Sequence, residues 1–350
     1  MEEFFSYVVH QTDAVSEKII GEKGIGDKGV MKKKDKQDVF PGEISGLRIL
    51  SYNIWCGFDY GGNSKGKDEE REKRCIDFIR SLSPNVVALQ ELNGFTQEKL
   101  GKMGRAWGHH YAVLLKEEGY PVGITSDKPI ILQAKIIDPL WHGLLHVKTW
   151  GIDFFVFHLS PGFDRRYCCN EAEFIMTYMT QKLGTQDRYV VLGDFNAPSP
   201  FDVGFYQEQN RNWKQYAQKF ADTGFTSLPI RDFTTISRFL NFPTIDVCER
   251  FVDPKSRYTY PTIIYAPERP KEESLAFACR IDYILASPLL ADRCVGAAII
   301  HSRETESLSD HYPVTADFVF TEQLFPTQAS MNEMTGKDMP AAPFQTDGLE

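Results

Sequence analysis

The feature that most limits how this chain can fold is a series of short apolar runs, several of which end at a polar residue. The runs 47–54, 86–90 and 189–192 are rich in branched and aromatic residues and have the length of strands. Residues 143–158 contain two more runs joined at Gly151, as in an antiparallel hairpin. Because these runs are apolar at nearly every position, we expect strands that are covered on both faces.

Helical patterns separate the strand-like runs. Residues 70–82 place apolar side chains on one helical face, and the segment after Asp164 repeats them at three-to-four spacing as far as Leu183. Residues 200–245 follow no clear pattern. Three later runs, 281–286, 295–301 and 314–320, are predicted to be strands. The alternation predicts an α/β fold with two mixed β-sheets packed face to face and helices outside.

The two ends of the chain differ from its middle. Residues 1–20 have the pattern of a short amphipathic helix, and residues 21–38 carry four glycines and six lysines, as flexible linkers do. We therefore predict an N-terminal extension over 1–45, a folded domain over 46–322 and a loose C-terminal tail over 323–350. Residues 1–38 are a candidate for peripheral membrane contact, with a disordered or docking tail as the simpler alternative.

Composition narrows the class of protein. The formal net charge of −9 disfavours a broad basic surface for nucleic acid, although it permits a phosphoester held in a local metal site. The seven cysteines are odd in number and show no CxxC spacing, which indicates free thiols. No apolar run reaches the roughly 18 residues of a spanning helix, and the acidic N-terminus is not typical of a signal peptide. We expect a cytoplasmic monomer.

Polar residues beside the predicted strands form the candidate site. Five of them end or follow a strand: Asn53, Glu91, His158, Asp194 and Asn196. Asp282 lies within the run 281–286, and Asp310 and His311 precede the last strand. In layered α/β proteins strand ends converge on one edge, so we expect these groups to share a pocket. Carboxylate oxygens suit Mg²⁺ or Mn²⁺ better than zinc, and a histidine beside a carboxylate can move a proton or bind a phosphate. The set predicts metal-assisted attack of water on phosphorus.

Each of these residues also has a simpler interpretation. Asn53 alone is typical of a turn, Glu91 of a solvated strand end, and residues 194–198 of an Asx turn before a proline. His158 alone is typical of a buried core histidine. The simpler interpretation does not account for all of them occurring in order, each beside a buried strand.

Six short motifs resemble a known family. They are YN at 52–53, LQE at 89–91, HL at 158–159, GDFN at 193–196, RIDY at 280–283 and SDH at 309–311. Over residues 46–320 the sequence resembles the endonuclease/exonuclease/phosphatase superfamily, which is DNase I-like. The resemblance implies a four-layered α/β sandwich and a Mg²⁺-dependent hydrolase. It also implies that Glu91 is the principal metal ligand, with Asn53 and Asp310 close to the metal.

The resemblance also implies catalytic roles. Asp194 would activate or orient the attacking water, and Asn196 would bind the phosphate. His311 would contact the scissile phosphate and be oriented by Asp282, a neighbouring carboxylate that should raise the pKa of His311. His158 would stabilise charge on the phosphoryl oxygens.

The sequence constrains the identity of the substrate less than it constrains the site residues. Trp55 occupies a position where abasic-site endonucleases usually have an acidic or amide residue, so the sequence is more similar to sphingomyelinase-like or other small-phosphodiester branches. Trp55 itself is either a core aromatic or a stacking surface. Tyr258 is predicted to line the pocket, and Arg166, with Arg165 and Arg257, to bind a phosphate. The leading hypothesis is a phosphodiesterase; the alternatives are a nuclease acting on DNA or RNA and an inactive binding or scaffold protein.

Overall fold

The computed structural model describes residues 44–59, 67–161, 165–216, 231–265, 267–268 and 270–321. Its strands are β1 (Ile44–Asn53), β2 (Val86–Gln90), β3 (Tyr111–Leu114), β4 (Gly123–Ser126), β5 (Ile131–Ile136), β6 (Leu144–Thr149), β7 (Ile152–His158), β8 (Tyr189–Asp194), β9 (Ile245–Asp246), β10 (Asp282–Ala286), β11 (Cys294–Ile299) and β12 (Val314–Thr321). Its α-helices are α1 (Glu69–Leu82), α2 (Gln97–Ala106), α3 (Arg165–Lys182), α4 (Val203–Tyr216), α5 (Thr234–Asn241), α6 (Val247–Phe251), α7 (Lys271–Leu275) and α8 (Pro288–Ala291).

The strands form two six-stranded sheets. The first has the order β11-β12-β1-β2-β4-β3 and the second has the order β5-β6-β7-β8-β10-β9. Each sheet contains one parallel pair near its middle, β1 with β2 and β7 with β8, and its other pairs are antiparallel. The predicted hairpin is the β6–β7 pair, which turns through Trp150 and Gly151 with positive φ angles. Both sheets are therefore mixed, as predicted.

Alternate residues of each central strand face different layers, because side chains alternate across a sheet. In β1, Leu47 and Ile49 belong to the core between the two sheets, whereas Leu50 and Tyr52 belong to a second core with α1 and α2. A third core joins the outer face of the second sheet to α3 and α5. The order of layers is helices, sheet, sheet, helices, so the predicted four-layered α/β sandwich is confirmed.

The close packing of β7 and β8 depends on a glycine. Gly193 has a φ of +139°, and a Cβ atom added to it would lie 1.9 Å from the backbone oxygen of Phe157. Only glycine fits there without displacing backbone. This contact places Asp194, the next residue, beside the end of β7.

Most of the predicted N-terminal extension and all of the predicted C-terminal tail lie outside the described residues. The extension over 1–45 lies outside the described residues except for its last two positions, and the tail over 323–350 lies wholly outside them. The candidate membrane segment over 1–38 is likewise outside. In the region without a clear pattern, the structure describes α4 and α5, while 217–230 are not described. All seven cysteines are free thiols, and no described helix is long and apolar enough to cross a membrane.

Candidate active site

The eight polar residues predicted for the site lie at one edge of the two sheets. Asn53 ends β1, and Glu91 follows β2, the parallel partner of β1. His158 and Asp194 end the parallel strands β7 and β8 and are direct partners in the register. The remaining four are Asn196 just after β8, Asp282 opposite Asp194 at the start of β10, and Asp310 and His311 just before β12. Parallel strands end at the same edge, so the sheet topology brings together residues that are distant in sequence.

The side chain of Asn53 connects the two sheets. It is fully buried, and its Nδ2 donates hydrogen bonds to Glu91 Oε1 and Asp194 Oδ2, each at 3.1 Å. Its Oδ1 accepts a hydrogen bond of 3.0 Å from the backbone N–H of Trp55. Asn53 therefore sets the spacing between a carboxylate of the first sheet and a carboxylate of the second.

Glu91 and Asp310 offer oxygen ligands that fit a hard divalent cation. Glu91 has a positive φ of 59°, and its Oε2 accepts a 2.7 Å hydrogen bond from the backbone N–H of Cys56. Burial raises the pKa of Asp310 to about 7; the His311 ring opposes this rise and the Glu91 carboxylate adds to it. Two nearby carboxylates of this kind repel each other, and a bound cation relieves that repulsion. The oxygen donors suit Mg²⁺ or Mn²⁺.

His311 lies among three carboxylates. Its Nδ1 is 2.8 Å from Asp282 Oδ2, and its Nε2 is 3.8 Å from Asp194 Oδ2 and 4.0 Å from an oxygen of Asp310. Burial alone would lower the pKa of His311, but the carboxylates outweigh burial and raise this pKa well above its usual value, as the sequence predicted. The raised pKa favours the imidazolium form of the ring, which can donate hydrogen bonds from both nitrogens.

A second group of side chains could also hold a metal ion. Ligand atoms of Asp194, Asp282 and His311 lie within 4.8 Å of one another. In its imidazolium form His311 has no free lone pair with which to bind a cation. Glu91 and Asp310 offer carboxylate oxygens outside this group.

Asp194 is surrounded by polar groups on every side. Burial raises the pKa of Asp194 well above its usual value, the Asp282 carboxylate raises it further, and the His311 ring lowers it. The Oδ1 atom accepts a 2.9 Å hydrogen bond from the backbone N–H of Asn196. A carboxylate with a raised pKa is a better proton acceptor at neutral pH than an exposed one.

His158 differs from His311 in charge. Burial lowers the pKa of His158 well below its usual value, and the nearby rings of His142 and His311 lower it further. Its Nε2 lies 3.0 Å from Asn196 Nδ2 and 3.4 Å from Asp194 Oδ2. The lowered pKa favours a neutral His158 ring. The Asn196 Nδ2 can only donate, so the His158 Nε2 accepts this hydrogen bond and the ring proton resides on Nδ1. Among the described residues, this Nδ1 has no hydrogen-bond partner.

Two of the residues predicted to bind substrate are buried. Tyr258 belongs to the core between the sheets and stacks on His301 at a ring distance of 4.3 Å. Arg257 is also buried, where it donates to backbone carbonyls and lies 3.7 Å from Asp202. The guanidinium of Arg257 is therefore already paired inside the protein. Sequence motifs do not show which way a loop side chain points.

The remaining candidates have mixed positions. Arg166 is exposed in the first turn of α3, and the side chain of Arg165 is outside the described residues. Trp55 is partly buried with a φ of 56°, and its ring lies 5.2 Å from the guanidinium carbon of Arg71. Trp55 therefore packs within the protein. Its role as a stacking surface is not supported by this contact.

Two polar residues that support the site were not singled out from the sequence. Ser309 Oγ is buried, donates to the Asn53 backbone oxygen at 2.6 Å and accepts from the backbone N–H of His311 at 3.2 Å. Thr259 Oγ1 accepts from the backbone N–H of Asp282 at 3.1 Å. Ser309 belongs to the SDH motif, and Thr259 is the residue after Tyr258. Their small hydroxyl side chains carry no signal of a supporting role by themselves.

Comparison with known proteins identifies the class. A family model described as Endonuclease/Exonuclease/phosphatase family matches residues 50–311. Exodeoxyribonuclease III of Haemophilus influenzae is 25% identical over 261 residues, which cover 69% of this chain and 92% of that protein. An AP endonuclease from Archaeoglobus fulgidus has a TM-score of 0.59 at 20% identity, covering 78% of this chain and 99% of the other. A 3′ phosphatase from Neisseria bound to product DNA hairpin has a TM-score of 0.54 at 18% identity, covering 78% and 99%.

The match to the family model spans more than half of the chain, and the chain belongs to the Endonuclease/Exonuclease/phosphatase family. The superpositions at 18–20% identity agree with the family in fold. The chain is therefore a hydrolase of the phosphoesterase class, and the predicted superfamily and enzyme class are confirmed.

Proposed function

We propose that this protein is a Mg²⁺-dependent phosphodiesterase that cleaves its substrate by attack of water on phosphorus. The observation that supports this proposal most strongly is the continuous polar network at the edge of the sheets. In it Asn53 bonds to Glu91 and Asp194, Asp194 lies 3.8 Å from His311, and His311 bonds to Asp282. Burying so many charged groups together is costly for stability, and catalytic sites are the usual reason for that cost.

Glu91 and Asp310 would hold the Mg²⁺ ion, with Mn²⁺ as an alternative. Asn53, which the sequence placed among the ligands, turns its Nδ2 toward Glu91 and would position that carboxylate. When bound, a divalent cation polarises a phosphoryl oxygen and reduces the charge repulsion in the site. The carboxylate oxygens of Glu91 and Asp310 support a hard ion over zinc.

The chain's own residues supply the remaining chemistry. Asp194, with its raised pKa, orients the water and accepts its proton. The His311 imidazolium donates from Nε2 to a phosphoryl oxygen, while Asp282 fixes the ring through Nδ1. Asn196 and His158, which contact each other, bind the phosphate on the opposite side of Asp194 from Asp282.

Hydrolysis of bis-p-nitrophenyl phosphate tests the proposal. We expect turnover with Mg²⁺, no turnover in excess EDTA, and recovery when Mg²⁺ or Mn²⁺ is restored. Glu91→Gln is expected to abolish turnover and to weaken Mg²⁺ binding measured by isothermal titration calorimetry. Glu98→Gln is the matched control, because Glu98 is exposed in α2. Absence of metal-dependent turnover in the wild type would instead favour the inactive scaffold.

Nucleic acid is the second candidate substrate. The Haemophilus relative and the two structures above are named as DNA enzymes or bound to DNA, which supports this candidate over the lipid head groups suggested by Trp55. The net charge of −9 still argues against a broad basic surface. A nucleic-acid substrate would therefore need local contacts close to the site.

A further inference from the structure

A series of aromatic side chains leads from the active site to the protein surface. The His142 ring lies 4.5 Å from His158 at an interplanar angle of 32°. The Trp141 ring lies 6.4 Å from His142 and 6.0 Å from Tyr167, and the Tyr120 ring lies 5.3 Å from His142. Trp141, Tyr167 and Tyr120 are 57%, 55% and 41% exposed. We call these three residues with His142 the aromatic rim.

The backbone of the aromatic rim is held in place by a buried carboxylate. Trp141 and His142 lie in the loop between β5 and β6, which is at the same edge as the end of β7. Glu171 of α3 is buried, and its two oxygens accept from the backbone N–H groups of Trp141 at 2.7 Å and Ser160 at 2.8 Å. One side chain thus fixes the rim to the segment that follows His158. The loop is preorganised for contact with a ligand.

Packing of the protein core does not explain why these rings are exposed. A tryptophan and a tyrosine that are both more than half exposed contribute little to the core, and adjacent exposed aromatic rings are typical of binding surfaces. The contact of His142 with His158 makes the rim continuous with the phosphate-binding side chains. A ligand on the rim would therefore lie next to a phosphate held by these side chains.

We propose that Trp141 and Tyr167 form a subsite that stacks an unpaired nucleobase next to the scissile phosphate. This inference rests on the proposed phosphodiesterase function and specifies its substrate class as single-stranded or locally unpaired nucleic acid. Stacking on aromatic side chains needs no basic groove, so it is compatible with the acidic net charge. Every base has a planar face, so the subsite accepts bases with little sequence preference.

Binding in the absence of metal tests the subsite independently of turnover. Fluorescence anisotropy in EDTA would compare two labelled oligomers of equal length, oligothymidylate and an oligomer of abasic tetrahydrofuran residues with the same backbone. We expect the full-length wild-type protein to bind oligothymidylate about tenfold more tightly. Trp141→Ala should remove this difference by weakening binding of oligothymidylate alone, whereas Trp141→Phe should retain most of it.

Tyr111→Ala is the control variant. Tyr111 is 40% exposed at the start of β3. The register places it level with the first residue of β2, whereas Glu91 follows the last residue of β2, so Tyr111 is far from the site. Equal affinity of the wild type for both oligomers, no binding of oligothymidylate, or equal weakening of both oligomers by Trp141→Ala would overturn the subsite. Hydrolysis of bis-p-nitrophenyl phosphate by the wild type would show in each of these outcomes that the phosphodiesterase function itself stands.

Discussion

Ser309 Oγ donates a 2.6 Å hydrogen bond to the backbone oxygen of Asn53, a residue 256 positions earlier in the chain. The same hydroxyl accepts from the backbone N–H of His311 and lies 3.2 Å from Asp310 Oδ1. A single side chain therefore joins the end of β1 to the SDH motif. The spacing between the two halves of the site depends on this hydroxyl.

Ser309→Ala is expected to destabilise the fold and weaken catalysis together. Loss of the hydroxyl leaves the Asn53 oxygen buried without this donor, at a cost of about 2 kcal/mol in the free energy of unfolding. Urea unfolding and hydrolysis of bis-p-nitrophenyl phosphate measure the two effects. Ser81→Ala is the control, since Ser81 is exposed in α1 and bonds only to a carbonyl of its own helix. Wild-type stability in Ser309→Ala would contradict this role.

Asp282→Asn is expected to reduce kcat by about 100-fold with a small change in KM. The substitution keeps the size of the side chain but removes the negative charge beside His311 Nδ1. His311 then loses the partner that keeps its ring cationic and oriented. Steady-state kinetics on bis-p-nitrophenyl phosphate measure the effect, with Asp292→Asn, at an exposed position after α8, as the control. A kcat within a few-fold of wild type would remove Asp282 from the mechanism.

His109 is expected to make stability fall in acid. Burial lowers the pKa of His109 from 6.5, and the Trp107 indole N–H, which can only donate, lies 3.2 Å from its Nδ1. The unfolded chain therefore binds a proton at higher pH than the folded chain. The stability is fully present above pH 6.5 and decreases as the pH falls from 6.5 through the lowered pKa, by at most about 1.4 kcal/mol per pH unit.

Urea unfolding of wild type and His109→Gln between pH 7 and pH 5 (roughly one unit either side of an ordinary histidine pKa) measures this effect. The variant is expected to be less stable at pH 7 and to lose less stability on acidification. His110→Gln serves as the control because His110 is the next residue and is exposed. Parallel stability curves for wild type and His109→Gln would show that His109 is not responsible.

Gly193→Ala is expected to lower the free energy of unfolding by about 3 kcal/mol. The added methyl group would overlap the Phe157 backbone oxygen, and β7 and β8 would have to separate to relieve this overlap. Because Asp194 follows directly, activity should fall as well. Gly204→Ala is the matched control: Gly204 lies in α4 with nothing within 4 Å of the added Cβ, so a gain of about 1 kcal/mol is expected. Equal stability of the two variants would contradict the close approach.

The sequence was sufficient to predict the sheets and the edge at which the site forms. The period and length of an apolar run are local properties of the sequence, so strands can be predicted from them. Residues at strand ends, such as Asn53, Glu91 and Asp194, then take their position in the fold from the strands. The parallel pairs then bring these residues to one edge. Fold class and superfamily were therefore accessible from the chain alone, while the roles of the individual site residues stay predictions.

Side chains in loops were less predictable. Nothing in the sequence around Tyr258 indicates that its ring stacks on His301. Trp141 and His142 lie in a loop without a recognised motif, and only the β5–β6 register places them beside His158. Charge states were similarly inaccessible. His158 and His311 are both histidines of the same site, and only their surroundings lower the pKa of one and raise the pKa of the other.

The pairing of β1 with β12 has a practical consequence for handling the protein. Ile44 lies opposite Thr321, so the two ends of the described fold leave from adjacent positions. Asn53 lies at the other end of β1, about 30 Å away at roughly 3.3 Å per residue. An affinity tag, a fluorescent partner or a surface tether joined directly to Ile44 or Thr321 would thus start at the opposite end of β1 from Asn53, and an enzyme immobilised there would present its catalytic groups away from the support.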